Sequence, residues 1–343
     1  MKYSYSVIVP TFKNHEMLMR TVESLRNQTF MEFELVVINN FKEDGLKIKL
    51  DKYCQENPQL DLVYINYPLD GAYGARSVGM TYAKGNVIIS VDDDESCDPQ
   101  FVNTYVAFFE EHHEVVLAGG PYILRFDSPA PDWVKDYLKG KKIDYVWGNF
   151  EQFDEVKIAE AVNVWGGNMA MRRCVFEYTG WYPGKNNGLS FGPHESGLVL
   201  DVAEKPGHLM AYLPDAKIYH HMPKSRLTVK HVRWSASYMI TIRVFYRYTK
   251  RKITFFNIVG DYFRTIFEYY KLWIKDFLLA RGKTDVASLD TQYLASMGYI
   301  KMRYLTWILT NKGNIREFIK KYSKGFSSYE IDEQSVKIHR FKK

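Results

Sequence analysis

No apolar run in the chain exceeds four or five residues, far short of the roughly 18 that a membrane-spanning helix needs. Cysteine is scarce: Cys54, Cys97 and Cys174 are widely spaced and odd in number. That excludes a disulfide framework and a zinc-ligand pattern and suits a reducing compartment. The opening residues, MKYSYSVIVPTF, hold no small-residue cleavage site, so no signal peptide is expected and a cytoplasmic location is. No GxGxxG follows the first apolar segment, which removes the dehydrogenase reading. Nor does a glycine-rich, basic loop follow it, as a nucleotidyltransferase would want. Internal repeats and low-complexity tracts are absent.

The last third of the chain is poor in acid. Residues 222–343 carry 25 Lys+Arg against 9 Asp+Glu, net +16, whereas residues 1–221 carry 21 against 31, net −10. A basic last third on a neutral-to-acidic body is expected to meet something anionic. No nucleic-acid module accompanies the charge, so nucleic acid is not expected as the partner.

What the sequence does have is alternation. Buried strands are expected at residues 6–10, 34–38, 61–66 and 87–91, with helices at 16–28, 47–55 and 71–83 between them. Strand alternating with helix means an α/β class with a parallel sheet flanked by helices. The length and the 46% hydrophobic, 25% charged composition suit one large or two ordinary domains.

The strand at 87–91 stops at three consecutive acids, Asp92, Asp93 and Asp94. In open α/β sheets ligands bind beyond the carboxyl ends of the strands. The residues at those ends are Pro10-Thr11-Phe12, Asn39-Asn40 and the three aspartates, and all are expected on one rim. Adjacent carboxylates repel unless a cation joins them. A hard divalent ion, Mn²⁺ or Mg²⁺, takes oxygen ligands and is often shared with substrate phosphates. The plainer alternative is a solvated turn, in which aspartate is common.

Further along, WGGNMAMRR, the glycine-rich stretch WYPGKNNGLSFG and HESGLVLDVAEKPGHLMAYLPDAKIYHH follow in order. Together with SVIVPTF, QTFMEFELVVINN and GARSVGMTYAKGNVIISVDDDESCDPQFV, they resemble glycosyltransferase family 2, whose members are inverting enzymes of the GT-A fold. The resemblance covers about residues 4–235 and consists of several ordered motifs at the family's spacings. It implies a GT-A domain over residues 1–225. Residues 1–100 would be its Rossmann-like nucleotide-sugar-binding half and 101–225 its acceptor half.

The resemblance also implies roles. Asp92 and Asp94 match the family's DXD pair, with Asp94 holding the metal and Asp92 and Asp93 contacting the ribose or assisting the metal. Pro10 and Thr11 would line the nucleoside. Asn39 stands where the family usually has an aspartate against the base, which leaves the base open although a UDP-sugar is favoured. Asp44 matches an acid of the following loop. Arg76 matches an arginine suited to a phosphate, or else an ion pair to the aspartate loop; Ser77 replaces the family's asparagine.

Glu195 falls on the catalytic base, which would deprotonate the acceptor hydroxyl. His194 replaces an acid beside it and would contact the acceptor. His220 matches a metal or diphosphate ligand, His221 less closely, and Arg226 lies within reach of the diphosphate. Trp165 and Asn168 would border the acceptor, with Gly166-Gly167 allowing close backbone approach. Trp181 and Trp133 offer flat faces to a sugar.

The implied reaction moves a sugar from a nucleoside-diphosphate sugar, with Mn²⁺ or Mg²⁺, to a glycan or a lipid-linked acceptor. The alternative is a catalytically silent sugar-binding or scaffold protein, for which Asn39, Ser77 and His194 leave room.

Residues 226–343 lie outside most of the resemblance and form a basic, aromatic-rich helical region. One expected helix puts Tyr262, Ile266, Tyr269, Trp273 and Phe277 on a stripe, with Arg264, Glu268, Lys271 and Lys275 off it. Two readings stand. The helices pack on the transferase core or on a second subunit, giving a homo-oligomer, or they contact the cytoplasmic face of a membrane.

Overall fold

The computed structural model describes residues 4–42, 45–68, 72–175, 202, 207–236, 255–280, 286–310 and 335–341. The chain divides into two compact units, one of residues 1–125, 149–221 and 328–343, the other of 126–148 and 222–327.

The first unit opens with β1 (Tyr5–Thr11), α1 (His15–Arg26), β2 (Phe33–Asn39), α2 (Leu46–Glu56), β3 (Leu62–Asn66), α3 (Ala72–Tyr82) and β4 (Val87–Val91). Every residue of β1, β2, β3 and β4 is buried. That is why these strands read as continuous Val/Ile runs rather than as alternation. Then come β5 (Glu95–Cys97), α4 (Phe101–Glu111), β6 (Val115–Gly119) and β7 (Tyr122–Phe126). After α5 (Asp132–Leu138) and β8 (Ile143–Asp144) of the second unit, the first resumes with β9 (Asn149–Phe150), β10 (Lys157–Ala159), β11 (Asn168–Arg172), β12 (Leu209–Tyr212) and β13 (Ile218–Met222). A final strand is β14 (Lys337–Arg340).

The main sheet has the order β10-β12-β6-β11-β4-β1-β2-β3-β14. β1 pairs in parallel with β2 and β4, β2 with β3, and β12 with β6. β11 runs antiparallel between β4 and β6, and β14 antiparallel along β3. The parallel β4-β1-β2-β3 part is the α/β sheet expected from the sequence, and antiparallel pairs of β11, β14 and β10 make the full sheet mixed. A smaller sheet in the same unit joins β5, β13, β7 and β9.

Two arginines at the end of β11 fasten helices to the sheet. Arg172 donates to the carbonyls of Phe109, His112 and Val115, and Arg173 to those of Met80, Ala83 and Gly85. The last turns of α4 and α3 leave carbonyls without intrahelical partners, and a guanidinium there satisfies them at the negative end of the helix dipole.

In the second unit, α6 (Phe255–Ala280) packs along α7 (Val286–Thr310). Tyr269 meets Gly298, near the middle of both helices. Trp147 is buried against Trp133 and Tyr137, so Trp133 serves an aromatic core there. The expected α6 stripe is only part of the pattern. Tyr262, Ile266 and Tyr269 are half-buried, and a second apolar stripe stays exposed. Among the described residues no helix is long and apolar enough to cross a membrane.

Candidate active site

The sheet register aligns the rim. Thr11 stands opposite Asn39 and Asn39 opposite Asn66, so β1, β2 and β3 end level with one another. β4 lies on the other side of β1 and delivers Asp92, Asp93 and Asp94 to the same edge. Asp93 is tied to the end of β1. Its Oδ2 accepts from the Thr11 hydroxyl at 2.6 Å and from the Phe12 amide at 3.4 Å. The aspartates therefore follow a buried strand because they belong to a joint rim.

Each acid has a different setting. Asp92 pairs with Arg76, a largely buried residue of α3. The ion pair holds α3 to the aspartate loop. Asp94 Oδ2 lies 3.6 Å from His220 Nε2, and both side chains are mostly buried. The backbone oxygen of Asp94 accepts from the His221 amide at 2.9 Å, and His221 Nε2 is 2.8 Å from the Ser96 hydroxyl. His220 is thus held beside Asp94 by β13, which pairs with β5.

Behind the rim lies a residue that the sequence reading missed. Glu95 is buried, accepts from the Asp92 amide at 2.8 Å, and has its carboxyl pushed well above the usual range by burial and by Asp92 and Asp94. Gly167 closes this pocket. A Cβ there would lie 2.7 Å from Asp92 Oδ2 and from the Tyr122 hydroxyl, and closer still to Glu95 Oε1. The sequence signals were the fourth acid after the DDD run and the paired glycines before β11.

Burial first, then the neighbouring Asp94 and Asp92 charges, raise Asp93 to about 7 against the lowering effect of the Thr11 and Phe12 hydrogen bonds. A carboxyl raised on folding contributes stability below its unfolded pKa, and that contribution is lost as pH climbs through the folded value. The metal-free protein should therefore melt a few °C lower at pH 8 than at pH 5.5, through Asp93 and Glu95. Mn²⁺ should raise Tm more at pH 8 than at pH 5.5, because protons compete with the cation. Differential scanning fluorimetry at the two pH values, with Mn²⁺ or EDTA, reads both effects.

Other expected residues are placed differently. Asn39 is buried, donates from Nδ2 to the Tyr64 hydroxyl and accepts from the Phe41 amide, so both ends of its amide serve the protein. Asn168 is buried with its oxygen taken by the Tyr105 hydroxyl and its nitrogen by the carbonyls of Pro121 and Ala216. An amide so engaged braces β11 rather than facing an acceptor. Trp165 is half-buried, stacked on Phe150 and tilted against Tyr122, whose ring stands edge-on to His220. Arg226 lies in the second unit, where its carbonyl accepts from the Trp147 indole. Asp44, Trp181, His194 and Glu195 lie outside the described residues.

Of the expected metal ligands Asp94, Asp92 and His220, Asp94 faces His220 and Asp92 pairs with Arg76. Among the described residues no group of three or more His, Cys, Asp or Glu side chains is arranged to hold a metal ion. The donor set that is present, one carboxylate and one imidazole among further acids, still fits a divalent cation whose remaining ligands come from substrate oxygens and water.

Residues 6–179 match the model of the family described as "Glycosyl transferase family 2". The glucosyl-dolichyl phosphate glucuronosyltransferase of Haloferax volcanii is 25% identical over 234 residues, covering 65% of this chain and 70% of that protein. The poly(ribitol-phosphate) β-N-acetylglucosaminyltransferase TarS of Staphylococcus aureus is 30% identical over 115 residues, covering 33% of this chain but 20% of TarS. The crystal structure of TarS residues 1–349 in complex with UDP is similar over 90% of this chain and 92% of that one, at 14% identity and a TM-score of 0.45. The chain belongs to glycosyltransferase family 2 and is a glycosyltransferase.

Proposed function

We propose that this enzyme transfers a sugar, with inversion, from a UDP-sugar to a hydroxyl of a growing glycan or of a lipid-linked saccharide. The observation that carries the reading is the Asp94–His220 pair on a rim formed by the ends of β1, β2 and β4. The sequence similarity to TarS, which was crystallised with UDP, supports the uridine nucleotide. The glucuronosyltransferase relative, named for a lipid-linked glucose, supports the acceptor class.

Asp94 and His220 would hold Mn²⁺ or Mg²⁺ together with the donor diphosphate. When bound, the ion neutralises charge on the departing UDP. Arg76 keeps Asp92 turned away from that ion and toward the donor ribose. Thr11 fixes Asp93 at the end of β1, where the nucleoside would lie. Glu195 takes the proton of the acceptor hydroxyl as its oxygen bonds to the anomeric carbon and the bond to the diphosphate breaks. Attack opposite the leaving group inverts the centre.

The test is turnover of UDP-, GDP- and dTDP-sugars, each with Mn²⁺, Mg²⁺ or EDTA. Turnover of a UDP-sugar is expected, lost in EDTA and lowered about 10²–10⁴-fold in Glu195→Gln. No metal-dependent response to any nucleotide sugar would leave a catalytically silent, sugar-binding protein.

A further inference from the structure

The second stripe on α6 has no role in the transfer chemistry. Phe256, Phe263, Phe267, Tyr270, Ile274 and Leu278 recur at helical spacing and are exposed, Phe256 at 83% and Phe267 at 68%. At 1.5 Å per residue the stripe runs roughly 33 Å along one side of the helix. The opposite side is already covered, since Tyr269 packs on α7 at Gly298 and Tyr299. Exposed apolar faces of this extent mark interaction surfaces.

The charges beside the stripe select the partner. Arg264, Glu268 and Lys271 each follow a stripe residue and are exposed on one side of it, two bases to one acid. The chain leading into α6, residues 222–254, carries nine Lys+Arg and no Asp or Glu. In the same unit Lys230, Arg233 and Trp234 are exposed on one face of the helical residues 229–236. Aromatic residues beside cations suit the boundary between acyl chains and headgroups.

A second copy of the chain fits less well. Symmetric pairing through this region would bring together two stretches of net +16, residues 222–343 of each copy, whereas an anionic bilayer takes that charge.

We infer that α6 is a peripheral membrane-docking helix. Its exposed aromatic stripe enters the interface of an anionic leaflet, and Arg264 and Lys271 lie against the lipid headgroups. The inference deepens the proposed function by bringing the enzyme to the surface where a lipid-linked acceptor resides, and its test does not depend on catalysis.

The full-length protein is floated with phosphatidylcholine vesicles, with and without about a third of phosphatidylglycerol. Binding to the anionic vesicles is expected, weak on the neutral ones and falling with salt. At about fivefold per base, Arg264→Gln/Lys271→Gln should lower partitioning roughly 25-fold. Phe263→Ser/Phe267→Ser should abolish it with Tm and donor turnover unchanged, since both rings are exposed. Equal binding to neutral and anionic vesicles, or wild-type flotation of the Phe263→Ser/Phe267→Ser variant, would overturn the inference. So would a dimer in light scattering that the same variant converts to monomer.

Discussion

Asp94→Ala is expected to lower kcat about a thousandfold while leaving the protein folded. Asp94 is the carboxylate that faces His220 across 3.6 Å, and in the proposed reaction the pair holds the ion that carries the diphosphate. Such an ion contributes several kcal/mol of charge stabilisation in the transition state, and about 4 kcal/mol corresponds to three decades in rate. The fold should not suffer, because Asp94 sits among Asp92, Asp93 and Glu95, and its charge adds to the burial that raises Asp93 and Glu95. Removing it relieves repulsion, so Tm should hold or rise slightly. Steady-state kinetics and a melting curve on the same preparation check both halves. A change confined to KM would mean that Asp94 binds donor without acting on the leaving group.

Gly167→Ala should be nearly as damaging for a different reason. The added methyl would press on the Asp92 carboxylate, the Tyr122 hydroxyl and the carboxyl of Glu95. None of these is the loose end of a surface side chain. Asp92 is held by Arg76, and Glu95 is buried and bonded to the Asp92 amide. Overpacking of this kind costs about 1–3 kcal/mol. The larger loss is positional: a shift of the aspartate loop by about 1 Å can cost a hundredfold in rate. Activity should therefore fall at least a hundredfold with a Tm drop of only a few °C. An active Gly167→Ala enzyme would mean that the aspartate loop is not rigidly positioned.

The first part of the fold was legible because its signals are local. Strands buried on both faces write themselves as apolar runs, and β1, β2, β3 and β4 appeared within one residue of their observed bounds. The shared rim followed, since parallel strands joined by helices bring their carboxyl ends to one edge. What escaped depends on contacts far apart in sequence. β11 enters the sheet antiparallel between β4 and β6, and β14 joins β3, with Arg340 reaching the buried Glu34. Nothing near Lys337–Arg340 announces a sheet edge.

The site divides the same way. The aspartate run and Thr11 were readable as residue types at strand ends, and His220 came only through the family resemblance. Of the partners that differentiate them, the Arg76 ion pair was one of two readings and a close approach at Gly167 was expected beside the acceptor, but Glu95 behind Asp92 was not readable, because tertiary approach sets it. Asn39 and Asn168 show the opposite failure. Polar residues at the right positions suggested ligand contacts, but their buried amides bond to Tyr64 and Phe41, and to Tyr105, Pro121 and Ala216. On α6, periodicity located one apolar stripe, and the second became visible only once Tyr269 was seen packed on α7.

The central claim is a metal-assisted uridine nucleotide site on the rim that carries Asp94 and His220. The most direct test is calorimetric titration of UDP into the protein with Mn²⁺ and with EDTA, repeated on Asp94→Ala. The account predicts binding in Mn²⁺ that weakens at least about tenfold in EDTA and to the same extent in the variant, the loss of one charge-assisted anchor. UDP binding of equal strength with and without metal and in both proteins, or no UDP binding at all, would contradict it.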